Sequence, residues 1–544
     1  MSGRTPATAP QPATAASEHA AARPRPGDEL ELQVDSLAFG GEGVARLGDS
    51  GYVVFVAGAI PGDRVRAVVH KRKRSYARAR VVDVLAPSPE RLAPRAEHPG
   101  VAWQVLPYER QLQIKRAQVE EALRRLGGLD GFELLDTLPA VEEWRYRNKL
   151  EYSFGVTRDE AGREELICGF HAAAGANRVV PVEDCLLASA RGNEARELTL
   201  RWCRAQGLTA WERGRERSHQ RAEASPAERT GPAPDGRARL RNLVVREGRD
   251  GGRLQVRLVT SEGELDAGAL ADGLSAALGE SLSGVLWTRS RSLAETTAGG
   301  ETELVWGAAE LPERLGELDL RISAEAFFQT NTEMAERLYE QVARFAALEG
   351  WERVYDLYCG IGTIALTLAV RAGEVWGIEL LPQSVADAIA GARRNEITNA
   401  HFFAGDVRRA LPELLARAGR PDVLVVDPPR AGLSKTVVHR IIDAAPRRIV
   451  YVSCNPTTLA PNASELVQAG WTLRSVRPVD MFPHTHHIEC VALLERGSGD
   501  RTGAARQAAA ASAKDVPLPG RGGERQVLVQ PSSGARGRAS LSGG

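Results

Sequence analysis

From Thr332 to Leu494 the chain alternates apolar, strand-length runs (RVYDLY, EVWGIE, VLVVD, IVYVSC, ECVALL) with helical patterns (TIALTLAVRA, SVADAIAGARRN, TVVHRIIDAA). Runs that are apolar at nearly every position suit strands buried on both faces, and the helices between them supply the crossovers of a parallel sheet. This pattern predicts a doubly wound α/β domain over residues 332–496, which takes its ligand at the carboxyl ends of its strands.

The rest of the 544 residues leaves room for further domains. Residues 27–87 read as short alternating strands punctuated by glycine (ELELQVDSLAF, GGEGVARL, GYVVFVAG, DRVRAVVH, ARARVVDVL), which predicts a small β-barrel. Residues 88–331 read as a mixed α+β central domain. It opens with a helix over Glu109–Leu126 and carries the strands NKLEYSFGV, LVVREG and LQVRLVT. Residues 1–26 and 497–544 are rich in Ala, Gly, Ser, Pro and Arg and poor in large apolar residues, so they read as disordered tails; residues 212–238 read as a disordered insertion.

Lys plus Arg and Asp plus Glu both number 70, so any attraction to nucleic acid must be local. It is concentrated between Arg64 and Arg80, where eight basic residues, among them Lys71, Arg72, Lys73 and Arg74, occur with no acid. With Phe39, Phe55 and Tyr76 available for stacking, such a barrel suits single-stranded RNA. No apolar run reaches the roughly 18 to 20 residues of a membrane span, and the first residues lack the apolar core of an export signal, so a cytoplasmic enzyme is expected. Six cysteines without a CxxC pair suggest neither a disulfide framework nor a zinc site. The run of histidines at His484, His486 and His487 lacks the companions of a metal site.

The ends of successive strands carry the chemistry. Tyr358, Cys359, Gly360, Ile361, Gly362 and Thr363 form a glycine-bearing turn into a helix, which lets a backbone approach a nucleotide. Glu379 ends the next strand, where a carboxylate can accept ribose hydroxyls; Asp406 ends the third unit, either beside an adenine or as a helix cap. In Asp427-Pro428-Pro429-Arg430 two prolines fix an extended turn that aims an acid into the crevice, which favours methyl transfer over dinucleotide chemistry. Cys454 sits at the end of VYVSC, and Glu489 begins an apolar strand where a charge needs a reason. A thiol, a carboxylate and a methyl donor match methylation of a pyrimidine at C5. The thiolate adds to C6, C5 becomes nucleophilic, and a base then removes the C5 proton.

The ordered set AFFQTN (Ala326–Asn331), DLYCGIGT (Asp356–Thr363), DPPRAG (Asp427–Gly432), VYVSCNPTTLA (Val450–Ala460) and DMFPHTHHIE (Asp480–Glu489) resembles the RNA uracil-5 methyltransferases, and the likeness spans nearly everything between the tails. The resemblance implies a Rossmann-like domain dependent on S-adenosyl-L-methionine (SAM), with Cys454 as nucleophile and Glu489 as proton acceptor. It makes Gln329, Tyr358, Glu379 and Asp427 SAM contacts, and sets Thr363 and Asp406 where some members also touch SAM. Apart from the resemblance, Thr330 and Glu333 read as a capping box opening a helix at Glu333. The barrel looks like a TRAM domain, OB-like and RNA-binding, which implies 23S ribosomal RNA as substrate. Arg147, Asn148 and Lys149 match a family segment near the RNA and are expected to contact it. A transfer RNA T-loop substrate, or a non-catalytic RNA-binding protein with a vestigial site, are the alternatives; a cytosine-5 methyltransferase is disfavoured. Many relatives hold a four-iron four-sulfur cluster, but RAEHPGVA replaces the stretch that bears three of its cysteines, so no cluster is expected and Cys185 is left a buried thiol. A monomer is expected, since nothing reads as a dimerisation helix.

Overall fold

A computed structural model of the chain describes residues 23–48, 51–172, 178–211, 231–249 and 251–497. Nearly all of the two expected tails, and residues 212–230 of the expected insertion, lie outside the described residues. The remainder of that insertion is ordered. Ala233 and Arg237 close a turn, and Arg237 bridges Glu264.

The chain divides into two compact units, residues 1–94 with 102–107, and residues 95–101 with 108–544. The expected boundary between central and catalytic domains at 331/332 therefore falls inside the second unit. Within the first unit five strands close a barrel: Glu29–Leu37, Gly43–Leu47, Tyr52–Ala57, Arg64–Arg72 and Tyr76–Ala86. Alternation sends Val34, Val54, Val56, Val65, Ala67 and Ala79 inward. The buried Asp63 fastens the barrel's outgoing chain, accepting from the Ile60 and Ser88 amides (both 2.9 Å) and from Arg91 Nη2 (2.7 Å). Burial opposes its charge, but these donors win and hold the carboxyl below its usual range.

In the second unit, a seven-stranded sheet is built around the antiparallel pair Lys149–Arg158 and Leu240–Glu247, with helices Ala190–Ala205 and Ala267–Leu278 contributing to its apolar core. A second large sheet in this unit has eight strands in the order Ala400–Ala404, Glu374–Glu379, Arg353–Leu357, Val423–Val426, Arg448–Ser453, Glu489–Arg496, Trp471–Val479 and Glu133–Leu134. The first five run parallel, and the order reverses at Arg353–Leu357 beside Val423–Val426. The loops after those two strands thus open on one crevice. Val423–Val426 is buried at every residue, as a central parallel strand should be.

Two features depart from an all-parallel reading. Glu489–Arg496 runs antiparallel between Arg448–Ser453 and Trp471–Val479, and the segment Glu133–Leu134, far away in sequence, completes the edge. The opening helix is also shorter than its periodicity suggests, running Tyr108–Glu121 and relaxing into a wider π-turn over Ala122–Leu126. Phe482 packs against the apolar cores of both sheets. Among the described residues no helix is long and apolar enough to cross a membrane.

Candidate active site

The strand Arg353–Leu357 delivers Tyr358 into the turn with φ +66°, a left-handed conformation costly for a non-glycine residue. Gly360 and Gly362 follow at φ +55° and +80°. A Cβ on Gly362 would lie 2.8 Å from the ring of Phe402, on the edge strand Ala400–Ala404, so the loop packs flush there, whereas a Cβ on Gly360 would meet nothing within 4 Å. The loop therefore has open space on the Gly360 side, the kind of cradle an adenosyl group needs. Glu379, on the adjacent strand, shapes this turn from below by accepting from the amides of Gly360 (3.2 Å) and Leu381 (2.9 Å). Lone pairs remain on its two oxygens for ribose hydroxyls. Asp356 is fully buried beneath, and burial together with nearby Asp427 pushes its carboxyl far above the usual range.

Asp427 follows its strand at the neighbouring position, its amide donating to Leu357 O (3.3 Å). Burial pushes its carboxyl up to about 7. Next along the sheet, Cys454 follows Ser453 and precedes Asn455, whose side chain caps helix Pro456–Gln468 by accepting from the Thr457 amide. Asn455 Nδ2 also donates to Arg430 O (3.2 Å), tying the cysteine turn to the Asp-Pro-Pro-Arg turn. Burial, Glu489 and Asp427 together raise the Cys454 thiol to about 11, while Arg430 opposes them. The adjacent helix N-terminus is a second feature that favours a thiolate.

Glu489 lies across from Cys454. Strands Arg448–Ser453 and Glu489–Arg496 pair Ser453 with Cys490, so Cys454 and Glu489 occupy the next step outward, at the mouth of the crevice. Glu489 is 6% exposed, and burial with Asp427 nearby drives its carboxyl well above the usual range. Two side chains of helix Tyr108–Glu121 hold the loop that leads to it. Lys115 Nζ donates to Asp480 Oδ1 (2.5 Å) with both side chains fully buried, and also to Phe482 O (3.2 Å). Gln111 meets His484 twice, at 3.0 Å to its Nδ1 and at 2.9 Å from its amide. His484 stacks on Trp144 with centroids 3.8 Å apart, so this histidine is a packing element. Among the described residues no group of three His, Cys, Asp or Glu is arranged to hold a metal.

Several expected site residues also have partners within the protein. Thr363 is buried and its hydroxyl donates to Tyr339 (3.1 Å), which ties the glycine turn to helix Thr332–Ala346. Asp406 caps helix Val407–Ala418 and is clasped by Arg408, which holds its carboxyl down to about 2. The expected capping box is replaced by Asn331, whose side chain accepts from the Met334 amide. Asn148 is only 3% exposed and lies under the loop bearing Gln329, to whose carbonyl its side chain donates. Arg147 is half-buried with its guanidinium 5.4 Å from the Phe482 ring, and Lys149 pairs with Glu151 (2.6 Å). In the first unit, Lys71, Arg72, Lys73 and Arg74 are all exposed around a hairpin tip, and Phe55 packs edge-on to Tyr76 at 5.5 Å.

Arg430 and Phe327 lie within motifs quoted from the sequence, but their residue types alone assigned them no role. Arg430 follows the Asp-Pro-Pro turn and is the cation that acts on both Cys454 and Glu489. Phe327, two residues before Gln329, is 68% exposed, and an exposed aromatic in an otherwise buried motif is visible only in the fold.

The stretch that replaces the cluster cysteines does not fit an iron–sulfur group. His98 Nε2 lies 3.2 Å from Cys185 Sγ, with both residues buried, so the one cysteine available there is engaged with an imidazole. Burial holds that imidazole neutral, its pKa lowered to about 4.

Comparison with known proteins agrees with this arrangement. The sequence model of the tRNA (uracil-5-)-methyltransferase family matches residues 309–497, and that of the TRAM domain matches residues 23–82. An uncharacterized RNA methyltransferase of Halalkalibacterium halodurans is 34% identical over 475 residues, 86% of this chain and 97% of that one. Another, from Nitratidesulfovibrio vulgaris, is 36% identical over 486 residues, 88% of this chain and 98% of that one. Among solved structures, the Pyrococcus abyssi tRNA (uracil-54, C5)-methyltransferase in complex with S-adenosyl-L-homocysteine superposes with a TM-score of 0.65 at 25% identity, covering 85% of this chain and 99% of its own. The chain belongs to the family of SAM-dependent RNA uracil-5 methyltransferases and is an RNA methyltransferase with a TRAM domain.

Proposed function

We propose that the protein converts a uridine of RNA into 5-methyluridine by covalent catalysis, and that the RNA is 23S ribosomal RNA. The observation that carries the chemistry is the placement of Cys454 and Glu489 one step beyond the Ser453–Cys490 pair, between the Asp427 turn and the loop after Phe482. SAM supplies the methyl group as an electrophile. Tyr358, Glu379 and Gln329 line its crevice and Asp427 orients it. The Cys454 thiolate, favoured by Arg430 and by the helix at Pro456, adds to C6 of the uracil and makes C5 nucleophilic. After methyl transfer, Glu489 accepts the C5 proton, and the C6–S bond breaks to release product and thiolate. A base with a raised pKa suits this step, because its affinity for the proton approaches what removal from C5 demands. Burial of Glu489 also keeps water from competing for that proton. Reaching C5 in folded RNA requires the uridine to be turned out of its stack, at a cost of a few kcal/mol. The exposed Lys71–Arg74 tip and Arg147 would offset that cost through phosphate contacts.

The ribosomal reading is supported by the barrel and its basic hairpin. A transfer RNA substrate is the second reading, favoured by the likeness across 99% of a transfer RNA enzyme. Incubation with labelled SAM and unmodified 23S ribosomal RNA or transfer RNA, followed by nucleoside analysis, decides both points. Labelled 5-methyluridine from ribosomal RNA is the expected result. The same product from transfer RNA alone would overturn the substrate, and no labelled uridine from either would overturn the reaction.

A further inference from the structure

The strand Lys149–Arg158 is entered through Tyr146, Arg147 and Asn148, and their side chains part company. Arg147 reaches over the Phe482 ring, while Tyr146 and Asn148 are buried at 1% and 3% exposure. The Asn148 amide nitrogen donates to Gln329 O (2.9 Å) and to Thr332 Oγ1 (2.8 Å), and its backbone amide donates to Thr330 O (2.9 Å). Thr332 passes its own proton to Glu313 Oε2 (3.2 Å), so its oxygen is committed as the acceptor. On the paired strand, Arg246, the register partner of Lys149, donates to Ser323 O (3.2 Å) and Ala326 O (2.9 Å). Four carbonyls of the loop 323–330 are thus held by residues of the central sheet.

The same chain segment also holds the other half of the site. Tyr146 Oη donates to Pro483 O (3.2 Å), in the loop that runs to Glu489, and Asn331 Nδ2 joins the two loops by donating to Met481 O (2.9 Å).

We propose that Asn148 is a positioning residue for the cofactor site, fixing the backbone of residues 329–332 so that the Gln329 side chain meets SAM, and that Tyr146 does the same for the loop of the catalytic base. The inference rests on reading Gln329 as a SAM contact and Glu489 as the base. Its physical content is specific. A buried acceptor left without its donor costs free energy unless the chain shifts to find another, and the chain free to shift here is the one bearing Gln329. Asparagine is required because only an amide donates two N–H groups from a side chain of this length. Aspartate has the same shape and would set a bare oxygen against Gln329 O.

The test compares Asn148→Asp and Tyr146→Phe with the unaltered full chain in three measurements: S-adenosyl-L-homocysteine affinity by calorimetry, steady-state methylation with SAM and RNA varied separately, and melting temperature. Asn148→Asp is expected to weaken S-adenosyl-L-homocysteine binding about tenfold and to raise KM for SAM in parallel, with KM for RNA unchanged and kcat at saturating SAM within about threefold. Tyr146→Phe is expected to lower kcat while leaving S-adenosyl-L-homocysteine affinity intact. A rise in KM for RNA with cofactor affinity intact in Asn148→Asp would return Asn148 to the RNA interface and overturn the proposal. Losses in every parameter that simply follow a fall in melting temperature would overturn it too. Should Asn148→Asp fail to fold, Thr332→Val removes the second acceptor; severalfold weaker S-adenosyl-L-homocysteine binding supports the proposal and unchanged binding overturns it. Because that binding is indifferent to the methyl acceptor, an unaltered enzyme that binds it without making 5-methyluridine would contradict the proposed function alone.

Discussion

Cys454 and Glu489 stand opposite each other at the open end of two antiparallel strands, one residue beyond the pair Ser453 and Cys490. A thiol and a carboxylate 35 positions apart in sequence thus come to one end of the sheet, as the proposed covalent mechanism requires, because one strand of the sheet runs against the others. Cys454→Ala is expected to abolish methylation while leaving S-adenosyl-L-homocysteine affinity within about twofold, since the thiol adds to RNA and not to the cofactor. Equal loss of both in calorimetry and single-turnover assays would contradict its role. Glu489→Gln is expected to permit methyl transfer and to accumulate a protein–RNA adduct on denaturing gels; a variant that turns over normally would remove Glu489 from the mechanism.

The proposed mechanism needs Cys454 and Glu489 both ionised, and burial lifts both, the thiol to about 11 and the carboxyl well above its usual range. The logarithm of kcat/KM should therefore climb as pH rises through neutrality, between about pH 6 and about pH 9. A flat profile over that span would mean that neither group limits the reaction.

Asp427 gives a stability prediction of the opposite sense. Its folded pKa, about 7, lies above the ordinary 3.8, so the folded chain keeps this proton where the unfolded chain has lost it. The corresponding stability is fully present below the unfolded value and is lost as pH rises through the folded one. Asp427→Asn, which cannot ionise, should raise the melting temperature more at pH 8 than at pH 5, while weakening S-adenosyl-L-homocysteine binding. A gain that is larger at the lower pH would reverse the sign and refute the buried-acid reading.

How much of this site could be read from the sequence follows from what spacing can carry. Tyr358, Glu379, Asp427 and Cys454 each end or follow a strand in an alternating pattern, and alternation alone brings strand ends to one edge. The antiparallel entry of Glu489–Arg496 was hidden, because its partner Trp471–Val479 alternates buried and exposed residues and reads as an ordinary surface strand. Local residue type also misleads where tertiary hydrogen bonds decide. Thr363 reads as a ligand of the glycine turn, and only the fold shows its hydroxyl bonded to Tyr339, from a helix earlier in the chain. Asn148 sits between two cations in the sequence, and only strand alternation buries it under Gln329. The pairing of His98 with Cys185 spans 87 positions and has no local signature.

The loop leading to Glu489 depends on the buried pair Lys115 and Asp480. Lys115→Met takes the cation from a fully buried ion pair and should destabilise the protein by about 3–5 kcal/mol in denaturant unfolding. Adding Asp480→Leu should recover much of that loss. A single variant as stable as the parent would show that the pair does not fasten the loop.

At the barrel, replacing Lys71, Arg72, Lys73 and Arg74 together by Ser should reduce the slope of log affinity for RNA against log salt by about 3, with S-adenosyl-L-homocysteine binding untouched. An unchanged slope in filter-binding titrations would place the RNA on another surface.

The most direct test of covalent catalysis uses RNA carrying 5-fluorouridine at the target position, because fluorine at C5 leaves Glu489 no proton to remove. After incubation with SAM and protease digestion, mass spectrometry should find the peptide containing Cys454 bonded to a nucleotide that has gained a methyl group. Absence of any adduct from RNA that is methylated when it carries ordinary uridine, or an adduct at Cys359 or Cys490 in its place, would contradict the mechanism.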